Sequence, residues 1–286
     1  IKASGDDLVL DFANSWTPIT NASQQAAGGY PGGPPAKLVT PSSSFSNESI
    51  QKSPSGSIHR FGARYGEHRS KDGESSDRTE LKDQEDFTVG ANVWFSGSFM
   101  VESQKPGEPD WNWSGELGSS GCHLFQYHGG TGSPIFSMQL VDNDTMVFWT
   151  RPQHDNRASH SAKPVTRYTW DGFQRGREYD IVINIKTAPD GKGSVLDVWI
   201  DGEQILDLSN IPLGYTDSDH NNFQWGMYRR TNETPLDVQW ANVEITGDMS
   251  LAHRIGNPLP WDFGMPNFDG INTLTLKHYL ASHAAS

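Results

Sequence analysis

The sequence predicts an all-β protein, a jelly-roll sandwich of two antiparallel sheets. Three observations predict it. Short runs of strand-like sequence recur along the chain, separated by turn residues and without helical stripes between them. Aromatics are plentiful, with 13 Phe, 10 Trp and 8 Tyr, although hydrophobic residues make up only 34% of the chain. That balance suits pleated, half-buried strands. Gly and Pro, at 29 and 17, supply many turns. The chain has 286 residues, and all-β sandwiches run to about 250 residues as one unit. Residues 1–286 therefore read as a single domain.

The elements follow in order. Leu8 to Phe12 reads as a short first strand. Residues from about 15 to 57 are rich in Gly, Pro, Ser, Asn and Gln, and Gly28 to Pro35 suits neither helix nor central strand. This stretch is a long surface excursion, suited to covering a cleft. Strands are expected at Ile58–Tyr65, from Arg78, and at Asn92–Val101, His123–His128, Ile135–Leu140 and Thr145–Thr150. Tyr179–Lys186 and Ser194–Ile200 flank a hairpin turn running from Thr187 to Gly193. Asp201-Gly202 turns the chain into Glu203–Leu208, and Asn222–Tyr228 and Leu236–Thr246 complete the set. The tail from about 256 to 286 carries Pro258, Pro260 and Pro266 and reads as extended, with a short helix expected at Leu274–Ala285. Strands without interleaved helices indicate a sandwich rather than a parallel α/β sheet, and no repeat indicates a propeller or solenoid.

Charge and cysteine content narrow the function. The net charge is −13, which argues against nucleic acid as a partner. No run reaches the roughly 18 apolar residues of a membrane span, so no membrane partner is expected. The single cysteine, Cys122, forms no internal disulfide and reads as buried structure rather than a catalytic thiol. A basic stretch, with Arg151, Arg157, Lys163, Arg167, Arg175 and Arg177 against Asp155 and Asp171, offers a local field for an anionic ligand on an acidic protein.

Three segments carry candidate chemistry: Arg78-Thr79-Glu80-Leu81-Lys82, Leu124-Phe125-Gln126-Tyr127-His128 and Phe223 to Arg230. Residues two apart on a strand share a face. Arg78 with Glu80, Gln126 with His128, and Gln224 with Gly226 and Tyr228 therefore point together, while Leu81, Phe125, Trp225 and Met227 suit the core. Gly226 reads as a place where a ligand approaches the sheet closely.

These segments resemble the signatures of jelly-roll polysaccharide lyases. Alginate lyases of polysaccharide lyase family 7 carry R-[ST]-E-L-R, Q-[IV]-H and Y-F-K-A-G-x-Y-N-Q in this order, and the glucuronan lyases and heparin-lyase-I-like proteins carry variants. The likeness spans roughly residues 8–246, and it includes the approach from Ile58 to Glu67. Departures are Tyr127 in the middle of the second motif, Lys82 for the second Arg, Gln224 for a common Lys, and Arg229 for Asn. The resemblance implies a concanavalin A-like jelly roll and cleavage of a 4-linked uronic-acid polysaccharide, glucuronan or alginate, by β-elimination. It makes Arg78, Gln126, His128 and Tyr228 the catalytic set, with Glu80, Lys82, Gln224, Arg229 and Arg151 binding the substrate. It further implies a secreted, extracellular or periplasmic monomer whose partner is an anionic polysaccharide.

The residue types suit that chemistry. The C5 proton of a uronate is weakly acidic, because its removal puts charge onto a carboxylate. Arg78 offers a fork that matches a carboxylate, and Gln126 an amide donor. His128 and Tyr228 are the proton carriers, and the residue types do not say which is the base. No cofactor is required. Asp11 and Asp237 are oxygen donors of the kind that a structural calcium takes, but the sequence defines no ligand set. Two rivals remain. A lectin-like binding module would bind without cleavage. A glycoside hydrolase would need a carboxylate pair, for which Glu80 with Asp142 or Asp144 lacks supporting spacing.

Overall fold

The protein is described from a computed structural model. It describes residues 58–63, 69–71, 74–83, 87–107, 121–129, 133–151, 163–216, 218–230, 235–247 and 249–261, with short pieces at 17–18, 37–38 and 50–52. The expected first strand, most of the 15–57 excursion and the expected terminal helix lie outside these residues. The likeness to a jelly roll holds: the described chain is almost all strand, arranged in two antiparallel sheets, with a single 3-10 turn at Ala252–Arg254.

In chain order the strands are β1 (Thr17–Pro18), β2 (Lys37–Leu38), β3 (Ile50–Lys52), β4 (Ile58–Ala63), β5 (Arg69–Lys71), β6 (Glu74–Lys82), β7 (Phe87–Thr88), β8 (Asn92–Val101) and β9 (Cys122–Gly129). There follow β10 (Pro134–Leu140), β11 (Met146–Thr150), β12 (Val165–Trp170), β13 (Tyr179–Lys186), β14 (Val195–Ile200), β15 (Glu203–Ser209), β16 (His220–Arg230) and β17 (Leu236–Thr246). One sheet has the order β1-β3-β4-β17-β8-β13-β14-β15. The other runs β12-β11-β10-β9-β16-β6-β2, with β5 beside β6 and β7 beside β16. Apart from Leu8–Phe12, which lies outside the described residues, the expected strands are present within a few residues. The sequence reading missed β12, an edge strand whose Thr166, Arg167 and Thr169 interrupt the apolar pattern. The Asp201-Gly202 turn is observed with φ of 50° and 85°, the positive values that a tight hairpin turn demands.

The inner faces of the two sheets share one hydrophobic core. Phe95 on β8 is its hub. Its ring lies 4.7 Å from Phe125, 5.5 Å from Phe223 and 5.8 Å from Trp240, mostly in tilted or edge-on geometry. Aromatic pairs of this kind add about 0.5–1.5 kcal/mol beyond area burial. Phe125 and Phe223 belong to β9 and β16, so the core fixes from below the two strands whose other faces carry the polar candidates.

Two irregularities set which side chains reach that outer face. Along β10 the register steps from Met138↔Phe125 to Gln139↔His123, which makes Leu124 the extra residue of a bulge. Along β16 it steps from Trp225↔Phe125 to Tyr228↔His123. At this break Gly226 has φ of 133°, a conformation that residues with a Cβ rarely adopt. A Cβ there would lie 2.8 Å from Phe61 Cδ1 and 2.9 Å from Glu80 Cα, and closer still to the Thr79 carbonyl. The glycine is thus required by backbone geometry and packing rather than by ligand approach. Gly226→Ala is expected to lower stability by about 2 kcal/mol or more, read as a fall in the urea midpoint.

Candidate active site

Strand register lays the polar residues of the second sheet in rows. One row runs Arg78, Tyr228, His123, Gln139, across β6, β16, β9 and β10. The next runs Lys82, Gln224, Gln126, Ser137, Trp149, reaching β11. His128 sits one residue pair further along, opposite Asn222 and Pro134. Tyr228 and His128 therefore lie on opposite sides of the Gln224–Gln126 pair.

Glu80 organises the centre. Its carboxylate is fully buried, at 0% exposure, and takes Arg78 Nε at 2.6 Å on one oxygen and Gln126 Nε2 at 2.5 Å on the other. Arg78 also donates through Nη2 to Gln224 Oε1 at 2.8 Å, and Gln224 Nε2 donates to Asn222 Oδ1 at 3.0 Å. The Glu80–Gln126 bond crosses β16, which lies between β6 and β9. Neither bond from Arg78 uses Nη1, and the second amide hydrogen of Gln126 is not spent on Glu80. Arg78 keeps 17% side-chain exposure, and its guanidinium stands 4.7 Å from the centre of the Tyr228 ring.

The expected substrate contacts divide. Lys82 and Gln224 lie on the outer face beside Arg78. Glu80 lies beneath it and acts by holding Arg78 and Gln126. Arg229 is a correction: it is 1% exposed and sits on the opposite side of β16 from Tyr228, level with Cys122. Strand alternation takes it off the open face, so it does not touch a substrate there. Tyr127 likewise belongs to the core, 4.7 Å from Phe223, and burial pushes its phenol up from the ordinary value. Arg151 is nearly buried over Trp149, at 5.2 Å from the ring, and desolvation lowers its pKa.

Among the described residues, the arginines of the basic stretch are engaged at separate places. Arg175 donates to the Glu102 carbonyl, Arg177 pairs with Asp201 at 2.7 Å, and Arg167 donates to Thr150. Arg157, His154, His160, Trp111 and Trp113 lie outside the described residues. Trp170 packs against the core and Tyr179. Trp149 stands instead on the outer side, where its Nε1 donates to Gln139 Oε1 at 2.8 Å. Of the two aspartates considered for calcium, Asp11 lies outside the described residues. Asp237 is buried against Arg60 at 3.0 Å.

Sequence reasoning missed His123. Its ring stacks on Tyr228 at 5.6 Å with an interplanar angle of 19°, and Nδ1 lies 2.8 Å from Ser137 Oγ. Burial, then the charges of Arg78, Arg151 and His128, bring its pKa from 6.5 down to about 3. Strict alternation from Gln126 sends His123 to the core side with Phe125, and only the bulge at Leu124 returns it to the outer face.

No curated protein matches the chain. Among solved structures, an alginate lyase of polysaccharide lyase family 7 is similar at 13% identity and a TM-score of 0.50, over 71% of this chain and 84% of that one. The endo-β-1,4-glucuronan lyase of the fungus Trichoderma reesei gives 14%, 0.49, 75% and 91%, and the alginate lyase of a Corynebacterium species 12%, 0.47, 81% and 92%. The sequence model described as Polysaccharide lyase matches residues 29–243. With that match over most of its length and a jelly roll carrying Arg78, Gln126 and Tyr228 on one sheet face, the chain belongs to the polysaccharide lyase family and is an enzyme of that class.

Proposed function

We propose that this lyase cleaves a 4-linked uronic-acid polysaccharide, glucuronan or alginate, by β-elimination, and works as a secreted monomer. The observation that carries the reading is the pairing of Arg78 and Gln126 through Glu80, with Tyr228 on one side and His128 on the other. Arg78 and Gln126 receive the uronate carboxylate and take up the charge that develops when C5 loses its proton. One of Tyr228 and His128 removes the C5 proton. The C–H electron pair becomes the C4–C5 double bond, the C4–O4 bond breaks toward oxygen, and O4 takes a proton from the acid. One fragment then ends in an unsaturated uronate and the other in a reducing sugar. A polymer that cannot cross a membrane calls for an enzyme outside the cell.

The motif departures support a substrate preference set at the outer face. Tyr127 and Arg229 are buried, so those two changes bear on packing. Lys82 and Gln224 are the changes that face the cleft. Gln224 accepts from Arg78, where a lysine would repel it, so the site carries one cation fewer beside Arg78.

The direct test follows the ultraviolet absorbance of the conjugated double bond during incubation with glucuronan, polymannuronate, polyguluronate and heparin-type chains. A rise with glucuronan or an alginate block is expected. Binding without any rise would replace the reading with a lectin-like one, and saturated products would indicate hydrolysis. Tyr228→Phe and His128→Ala are each expected to cut kcat by about 100-fold or more with unchanged circular dichroism. Arg78→Lys loses the fork, and a fall in kcat/KM of about 10-fold or more is expected. Glu80→Gln leaves Arg78 without its counter-charge, which is expected to cost about 3 kcal/mol in urea unfolding.

A further inference from the structure

Tyr228 is enclosed from both sides by neighbouring strands. Arg78 comes from β6 and His123 from β9, and each is the direct register partner of Tyr228. The guanidinium lies 4.7 Å from the phenol ring centre, and the imidazole stacks at 5.6 Å. The imidazole is itself held on its far side. Trp149 meets it edge-on at 5.8 Å, and Ser137 Oγ stands 2.8 Å from Nδ1. Ser137 Oγ also lies 2.8 Å from the Phe125 carbonyl. A carbonyl only accepts, so the single hydroxyl hydrogen of Ser137 goes to Phe125. Its oxygen must then accept from His123, which requires hydrogen on Nδ1; burial of the ring near Arg78 and Arg151 keeps it neutral, so Nε2 is bare.

We propose that His123 is a positioning residue for Tyr228: a neutral, buried imidazole, locked as the Nδ1–H tautomer by Ser137, that fixes the phenol ring against Arg78. The kinetic consequence rests on the β-elimination reading; the geometry does not. The charged groups acting on His123 are Arg78, Arg151 and His128. All three disfavour an imidazolium, as does burial. A ring confined on both faces presents its hydroxyl in one place, and for proton transfer to O4 or from C5 that placement governs rate more than binding.

Nitrogen-15 NMR of histidine-labelled wild-type protein reads the tautomer without any substrate, with the His123 signals assigned by their loss in His123→Phe. Protonated Nδ1 and bare Nε2 throughout the assay pH range are expected. An imidazolium, or hydrogen on Nε2, would overturn the proposal. Because His123 stays neutral down to about 3 while an unfolded histidine takes up its proton near 6.5, the wild type should lose stability on acidification between those values, and His123→Phe should lose less. Equal losses would count against a neutral buried ring.

Kinetics supply the second arm. His123→Ala is expected to lower kcat by about 10- to 100-fold with KM changed by no more than about twofold. His123→Phe, which restores a flat neutral ring, should recover most of that loss and keep the acid limb of the pH profile. In a Tyr228→Phe background His123→Ala should cause no further loss. The idea fails if phenylalanine rescues nothing, if the loss persists without the Tyr228 hydroxyl, or if the acid limb disappears with His123. Should His123→Ala fail to fold, the wild-type NMR and the phenylalanine variant still decide. Absence of cleavage by the wild type on every polyuronate would sink the lyase reading alone, and the tautomer would still judge His123.

Discussion

A carboxylate with no exposure to water must be matched by donors or lose its charge. Glu80 is matched twice, by Arg78 on its own strand and by Gln126 across β16. The bond to Gln126 spans β16, the strand that lies between the two. Three strands are thereby tied at one point. The same contact orients the guanidinium whose other edge faces Gln224 and whose plane approaches Tyr228. Remove the buried carboxylate and Arg78 loses the partner that sets its direction.

The core beneath serves this arrangement. Phe95 of the first sheet presses on Phe125 and Phe223 of the second, directly under the strands that carry Gln126, Gln224 and Tyr228. Packed interiors resist displacement, so the outer row inherits the rigidity of the aromatic cluster. The two register breaks on β9 and β16 sit at the edge of that cluster, and they turn the row so that Tyr228 falls between Arg78 and His123.

Net charge conceals how cations are used. The chain carries −13 overall, yet Arg78 sits above a buried carboxylate, and Arg151 is held over Trp149. Arg175 and Arg177 are engaged elsewhere. The local field on the outer face is thus set by a few placed guanidinium groups rather than by the net charge.

Much of this was legible from residue order. Alternation marked β8, β13, β14 and β17 closely, and it put Arg78 with Glu80 and Gln126 with His128 on shared faces, because a strand's period of two is a local property of the backbone. The family motifs in their order indicated the lyase class. Alternation failed where the period breaks. The bulge at Leu124 brought His123 to the outer face, and the backbone of Gly226 serves packing rather than ligand approach. Arg229, which the resemblance put among the substrate contacts, follows alternation into the interior. Bulges, and bonds that skip a strand, depend on which strands become neighbours. Residue order alone therefore determined the strands and the chemical types on their faces, while the tertiary pairing of β6, β16 and β9 decided which of those groups meet, since contacts between residues tens of positions apart exist only once the sheet has closed around them.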